Sequence, residues 1–517
     1  MIKHKPFSLL LLLFALTVSA ANAQMAPAQI DTLVERTLKT FDVPGISVGI
    51  VKDGKLIFAK GYGVRSLATM KKMDENTLVG IASNSKAFTV AALAMLADEG
   101  KLKLDDKVTD YIPEFKMFDP YVTAEFTIRD LLTHRSGLGL GAGDLMIFPD
   151  SADFKVKDII HNLRYLKPVS SFRSRYDYDN QMYIVAGEIV ARVSGMSWED
   201  FIETRIMQPL HMDKSAASYS RIKDGSDVSE AHAPTNGKVH VIGRYSQPTC
   251  DAAGGINSNI IDMSKWVIAQ LDNGKYGDGK RLFSEKLHSQ MWSPQTILQG
   301  GDSPAYNSHF AAYGLGFFLN DAKGYKEVSH TGGLGGMVTK VDMIPELKLG
   351  IIVLTNQESG AAFTAIANQI KDSYLGVNGR DWVKAYSDMM KQRFGHADSV
   401  TNAAWAQVNA QQQAGKKGEI NIAGTYHDSW LGDANITQKG GKVWFSFAKA
   451  PKLTGEVLFY KGNTYVVKWN DRSFDADAYA SFTTDVDGKP TGIKMAAISP
   501  ATDFSFDFQD LELQRVN

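Results

Sequence analysis

The sequence predicts an α+β (α/β) chain in which one sheet is assembled from both ends of a large domain, with a small antiparallel β-barrel after it. Three observations carry this reading. Strand-like segments lie early, between Gly45 and Val64, and recur late, between Tyr313 and Thr355, with helices and polar loops between them. A helix closes the late group, at about Ala361 to Leu375. Beyond Gly418 the composition shifts to short, aromatic, partly alternating runs separated by turns, the pattern of a small all-β domain.

The elements follow in chain order. Lys3 and Lys5 precede an apolar stretch from Phe7 to Val18 and then Ala21-Asn22-Ala23, which reads as a signal peptide over residues 1–23 cut after Ala23. The apolar run is too short for a membrane span, and no cysteine near the cut offers a lipid anchor, so the mature chain is expected in a periplasm or secreted, with no stable membrane anchor. A large domain is expected over residues 24–378. It begins with an amphipathic helix from Ile30 to Phe41, then strands Gly45 to Val51 and Lys55 to Val64 joined by Asp53-Gly54, a strong hairpin signal. Ala87 to Ala97 is apolar nearly all round, which predicts a helix buried at the centre of the domain. Tyr313 to Leu319, Tyr325 to His330, Met337 to Ile344 and Lys348 to Thr355 read as the late strands. Residues 379–417 read as a connecting helix and linker, and 418–517 as the β domain, with strands at Val443–Phe447, Val457–Tyr460, Thr464–Trp469 and Phe504–Phe508.

Composition excludes several function classes. The formal net charge is −1 and no basic tract is present, so nucleic-acid or anionic-membrane binding has no support. Cys250 is the only cysteine, which excludes an intramolecular disulfide and a cysteine-based metal cluster. The eleven histidines show no metal-site spacing, and no metal or organic cofactor is implied. Gly137 to Ala142 loosely fits a dinucleotide fingerprint without a preceding strand, and reads instead as a loop near the site.

Three segments carry chemistry. Ser83-Asn84-Ser85-Lys86 opens the apolar helix, so Ser83 and Lys86 share one face, about one turn apart. Desolvation there would lower the lysine pKa and let it take the serine proton. Tyr178-Asp179-Asn180 leads into the helix from Tyr183 to Val193. A phenol beside a cationic lysine would have its pKa lowered and could relay a proton, and the Asn180 amide offers a donor and an acceptor to a substrate. His330-Thr331-Gly332-Gly333 follows a strand-like run, and its small residues would let a substrate lie along a strand edge. Taken singly, each has an ordinary structural reading: a capping serine, an aromatic core residue with an Asn cap, a glycine turn.

In this order the three segments resemble the serine β-lactamase and penicillin-binding-protein superfamily, whose pattern is S-x-x-K, Y-x-N and K-T-G. The chain looks most like the class C-type branch, which includes D-aminopeptidases, DD-carboxypeptidases and family VIII esterases. Gly61-Tyr62-Gly63-Val64, Leu131 to Leu138 and Ala253-Gly254-Gly255-Ile256 extend the likeness, which covers about Ile30 to Leu375. The C-terminal segment resembles the lipocalin-like domain appended to some of these hydrolases.

The resemblance implies an antiparallel sheet flanked by helices, an all-helical subdomain, and an active site between the two. It implies catalytic roles for Ser83, Lys86 and Tyr178, an oxyanion hole from the Ser83 and Gly333 amides, and substrate binding by Asn180, His330, Thr331 and Gly332. The expected activity is a β-lactamase-related peptidase or esterase working through an acyl-enzyme on a small-molecule, peptide or ester substrate. The alternatives are a class C-like β-lactamase and a penicillin-binding protein that does not turn over. His330 departs from the lysine of the lactamases and weakens the first alternative. His134 reads as a buttress for a helix end, and Cys250 as a non-catalytic residue next to an expected active-site wall. The barrel aromatics read as core, with Trp430 as the residue to reach the cleft if any does.

Overall fold

A computed structural model describes residues 24–235, 237–299 and 304–516; the expected signal segment lies outside them. Pro27–Phe41 is a helix, and Gly45–Lys52 and Lys55–Gly63 form the predicted hairpin. Asp53 and Gly54 both take positive φ, 50° and 74°, the geometry that makes Asp-Gly a tight hairpin turn. The other edge of Gly45–Lys52 pairs with Leu349–Thr355, Ile46 opposite Thr355 and Lys52 opposite Leu349. One eight-stranded antiparallel sheet is thus built from both ends of the domain. From that pair its order runs on through Met337–Ile344, Tyr325–Leu334, Phe318–Ala322, Ala311–Tyr313 and Thr296–Ile297.

Alternation along the central strands explains the layers. Ile46, Val48 and Ile50 pack with Leu349, Ile351 and Val353 against the helices Pro27–Phe41 and Gly360–Leu375. Ile352 and Leu354 join the core on the other face. There Gly49 and Gly350 let the helix Ile260–Leu271 lie close: a Cβ on Gly49 would sit 2.6 Å from Ile260 Cγ2, and one on Gly350 would overlap Val267. The helix Lys86–Asp98 is buried from Lys86 to Leu96, as its all-round apolar sequence predicts. The region between early and late strands is mainly helical, with Gln181–Ser194 the helix that follows the Tyr178 loop. It also holds a hairpin, Ala231–Thr235 with Lys238–Ile242, that the sequence reading does not separate out.

Three strand expectations are corrected. Tyr313 to Leu319 is two strands, because Gly314 and Gly316 (φ 77°) turn the chain between Ala311–Tyr313 and Phe318–Ala322. His330 to Gly333 lies inside the strand Tyr325–Leu334, and the glycine turn comes later, at Gly335-Gly336. Phe504 to Asp507 is a loop that runs into a 3₁₀ turn, Phe508–Asp510: Asp503 accepts from Ser505 N at 2.9 Å and folds the segment back on itself.

The helix Trp382–Gln413 leads to a closed barrel of eight antiparallel strands, sealed by pairing of Gly424–Asp428 with Leu513–Arg515. Ala404 and Val408 of that helix pack on Val466 and Ile498. The barrel leans on the helical region through Lys452 on Asp150 (2.6 Å), Asp153 N on Lys449 O (2.7 Å) and Asn162 Nδ2 on Trp430 O (2.7 Å).

Candidate active site

Ser83 sits in a 3₁₀ turn, Ala82–Ser85, and the α-helix begins only at Lys86. This differs from the expected helix N-terminus, but the three-residue spacing still puts both side chains on one face. Ala82 just before it takes the left-handed conformation (φ 51°), which costs a non-glycine residue about 1 kcal/mol and turns the chain sharply. The turn is held from two sides. Thr339 Oγ1 donates to Ile81 O (2.9 Å) and accepts from Asn84 Nδ2 (2.9 Å). Ser85 Oγ accepts from Ile256 N (3.1 Å), and Ile81 N donates to Ile256 O (2.8 Å), which gives the Ala253 to Ile256 segment its role.

Lys86 is fully buried, and its Nζ donates to Asn180 Oδ1 (2.7 Å), Ala253 O (3.0 Å) and Ser83 Oγ (3.0 Å). The first two partners only accept. Once the amine is neutral its lone pair must therefore face Ser83, whose hydroxyl can turn and donate. Burial brings the lysine pKa down to about 8, against the pull of nearby Asp144 and Asp179.

Tyr178 lies beside this pair, with Lys86 Nζ 4.7 Å from its ring centroid. The expected lowering of its pKa is not found. Burial pushes the phenol well above its usual range, and its hydrogen bond with Ser83 opposes this only in part. Lys86, over the ring face, does not offset that burial. The Tyr178 loop rests on the Leu131 to Leu138 segment. His134 lies tilted by 34° against the Tyr178 ring at 4.3 Å between centroids and accepts from Asp179 N (3.1 Å), and Ser136 Oγ donates to Asp179 Oδ2 (3.1 Å). His134 thus buttresses the loop at the start of the helix Gln181–Ser194, whose Gln181 amide donates to Asp179 Oδ1 (3.0 Å). Asn180, expected to meet the substrate, has its amide engaged on both sides, by Lys86 and by Asp144 Oδ2 (2.8 Å).

Across the cleft, His330 is buried and neutral. Its Nδ1 donates to Thr331 O (2.5 Å) and its Nε2 accepts from Tyr313 Oη (3.0 Å), while burial and then Lys86 bring its pKa down to about 3. Gly332 is a glycine for contact: a Cβ there would overlap Ile81 O and lie 2.7 Å from Thr339 Oγ1 and 2.9 Å from Ala82 Cβ. Thr331 and Gly333 are exposed and line the cleft with Ser83. The neighbouring strand stops at Phe318 opposite Ser329, which leaves the 330–334 edge open.

The cleft encloses about 970 Å³, and part of its wall comes from the barrel. Trp430 is not that part. It is buried in the barrel core, 3% exposed. The residue that reaches the site is Phe504, whose ring meets the Tyr178 ring edge-on at 5.8 Å and covers Gly141 (φ 72°), where a Cβ would collide with it. If the cleft hydrolyses esters, Phe504→Ala is expected to raise kcat/KM for p-nitrophenyl esters of bulky acids by about 3- to 10-fold, with the acetate ester little changed. Trp430→Ala is expected to cost about 3–5 kcal/mol in urea unfolding and leave that preference as it was. Sequence reasoning also misses Asp144, which ends the glycine-rich loop, and Ser505, whose Oγ donates to Asp144 Oδ2 at 2.9 Å across 361 positions. Neither residue has a local signal.

The beta-lactamase family model matches residues 30–375, and a domain of unknown function (DUF3471) matches residues 421–515. The chain belongs to the beta-lactamase family. It is 26% identical over 386 residues to the unguisins hydrolase ungD of Aspergillus violaceofuscus, covering 69% of this chain and 67% of that protein. It is 28% identical to protein flp of Staphylococcus aureus over 64% of this chain and 63% of flp. In fold it resembles the octameric penicillin-binding protein homologue from Pyrococcus abyssi, with a TM-score of 0.60 at 22% identity, over 95% of this chain and all of that one. A mutant class C beta-lactamase aligns over 66% of this chain and 96% of its own, with a TM-score of 0.56 at 20% identity.

Proposed function

We propose that the protein is an exported serine hydrolase that cleaves amide or ester bonds through an acyl-enzyme on Ser83. The observation that carries this is the buried Lys86 amine, 3.0 Å from Ser83 Oγ, with its other two donors committed to groups that only accept. Ser83 attacks the carbonyl carbon as Lys86 takes its proton. The Ser83 and Gly333 amides donate to the oxyanion, and Thr331 bonds the substrate laid along the open strand edge. Tyr178, a neutral phenol, delivers a proton to the leaving group and regains one through Lys86. Water then hydrolyses the ester on Ser83.

Charge in the cleft supports a substrate class. The neutral His330 gives a carboxylate no fixed cation. Asp471 and Asp503 lie at the cleft against Arg393, while Lys452 is held by Asp150. The pKa of Asp475 is pushed up by burial, and that of Glu358 is pushed up to about 7 by burial and by Asp503 and Asp475. A neutral or amine-bearing acyl group suits this lining, as in a D-amino-acid peptidase or an esterase. A β-lactam or a peptide C-terminal carboxylate does not.

The pH dependence follows from Lys86. Its neutral form is the base, and its pKa is down to about 8. Between pH 6 and 8 kcat/KM for p-nitrophenyl butyrate is expected to rise with pH, by less than about tenfold per unit, and then to level. The rise is shallow because Asp144 and Asp179, both pushed up to about 7 by burial, ionise over the same range and hold the Lys86 proton. His330 titrates near 3 and adds no inflection in that range. The test of the function is mass spectrometry with fluorescent penicillin and with p-nitrophenyl butyrate, beside Ser83→Ala. Turnover or an adduct lost in the variant supports the nucleophile; a penicillin adduct that persists for hours favours a penicillin-binding protein over a hydrolase. No reaction of the folded protein with either reagent or with D-amino-acid amides would sink the reading.

A further inference from the structure

We propose that the 503–507 loop of the C-terminal barrel sets the lysine of the active site, through Asp144 acting as a positioning residue on Asn180. This rests on Lys86 being the base of the reading above. The loop grips residues 143–145 at three points. Asp507 accepts from Gly143 N (2.7 Å) and Leu145 N (3.0 Å), and Ser505 Oγ donates to Asp144 Oδ2 (2.9 Å). All three gripping and gripped side chains, Ser505, Asp507 and Asp144, are buried.

The same Asp144 oxygen accepts from Asn180 Nδ2 (2.8 Å), and Gln181 Nε2 approaches the other at 3.3 Å. An asparagine amide has two nearly isosteric orientations. A carboxylate only accepts, so Asp144 forces Nδ2 toward itself and leaves Oδ1 for Lys86 Nζ at 2.7 Å. Flipped, the amide would put an oxygen against a carboxylate and N–H groups against an amine. Mere docking of the barrel would need only Asp507 on the backbone. The Ser505 hydroxyl instead ends on the one carboxyl that orients Asn180, so the contact continues to Lys86 and then Ser83.

The charges around the chain are consistent with this. Burial pushes Asp144 up to about 7, while its bonds from Asn180 and Ser505 favour the ionised form. Asp179 and Asp507 also face it, as do Tyr245 and Cys250, both held neutral by burial. Lys86 is faced by Asp144 and Asp179, by the neutral His134 and His330, and by the rings of Tyr178 and Tyr183. Removing the Asp144 charge, or the hydroxyl that stabilises it, therefore lowers the Lys86 pKa.

The experiment pairs ester kinetics with a titration that needs no turnover. The full-length protein with ¹⁵Nζ-labelled lysine is titrated by NMR, the Lys86 signal assigned by its loss in Lys86→Met. In Asp144→Asn the Lys86 titration is expected to fall by about 0.5–1 unit, with a smaller fall in Ser505→Ala. In both, the plateau kcat for p-nitrophenyl butyrate is expected to drop about tenfold at little change in KM, and Ser505→Thr restores it. An unchanged Lys86 titration and plateau kcat in both variants, with only the melting temperature lowered, would overturn the proposal and leave the loop as a docking element. If Ser83→Ala stays active while the titration moves, the coupling stands and the nucleophile assignment falls.

Discussion

Lys86→Met is expected to lower turnover of p-nitrophenyl butyrate by roughly ten-thousand-fold, with far-UV circular dichroism unchanged. Methionine fills nearly the same volume in the buried helix but has no lone pair for the Ser83 proton. Ser83→Ala should lose at least as much, and the double variant little more, because nucleophile and base act as a unit. Lys86→Arg separates two meanings of the lysine. If only a positive charge were needed beside Ser83, arginine would keep much of the activity. A guanidinium does not deprotonate at these pH values, so with the lone pair as the requirement Lys86→Arg is as inactive as Lys86→Met. Arginine retaining more than about one-tenth of wild-type kcat/KM would move the base from Lys86 to Tyr178, against the upward push that burial gives that phenol.

Much of this pairing is legible in the sequence because it is local. A serine and a lysine three apart on an apolar helix must share a face, and the same apolar run that fixes the helix also buries the amine. Asp53-Gly54 is legible for a similar reason: two positive φ values in sequence are what that dipeptide tolerates. Tyr178 shows where local reasoning stops. Proximity to a lysine is readable, but not that the ammonium stands over the ring face in a site dry enough to reverse the shift. Phe504 to Phe508 shows a second limit. Its Phe-Ser-Phe-Asp-Phe alternation has the period of a strand, yet Ser505 and Asp507 bond to the other domain and not outward to water. Aromatic content points to Trp430 as readily as to Phe504, because it does not say which ring lies in the barrel core. Only the docking of barrel on helical region decides that, across more than 300 positions.

Gly332→Ala and Gly333→Ala, one residue apart, are expected to behave in opposite ways. The added methyl at Gly332 would overlap the Ile81 carbonyl and press on Thr339 Oγ1 and Ala82 Cβ. Neither neighbour can yield cheaply. Ile81 O is tied to Thr339 Oγ1, and Ala82 is already in the left-handed region. The strand must move away from the Ser83 turn, at a cost of about 1–3 kcal/mol, and the Gly333 amide moves with it. Because oxyanion donors act only within hydrogen-bond distance, kcat should fall by about 100-fold or more. At Gly333 the same methyl meets nothing nearer than Val338 Cγ1 at 4.0 Å. It lies on the face of the strand opposite the Ser83 turn, beside Val338, so unfolding free energy should stay within about 0.5 kcal/mol of wild type and kcat close to it. Urea melts with ester kinetics on the two variants read both quantities. Equal stabilities would mean that the strand and the turn do not pack as described, and an unchanged kcat in Gly332→Ala would remove the Gly333 amide from the oxyanion hole.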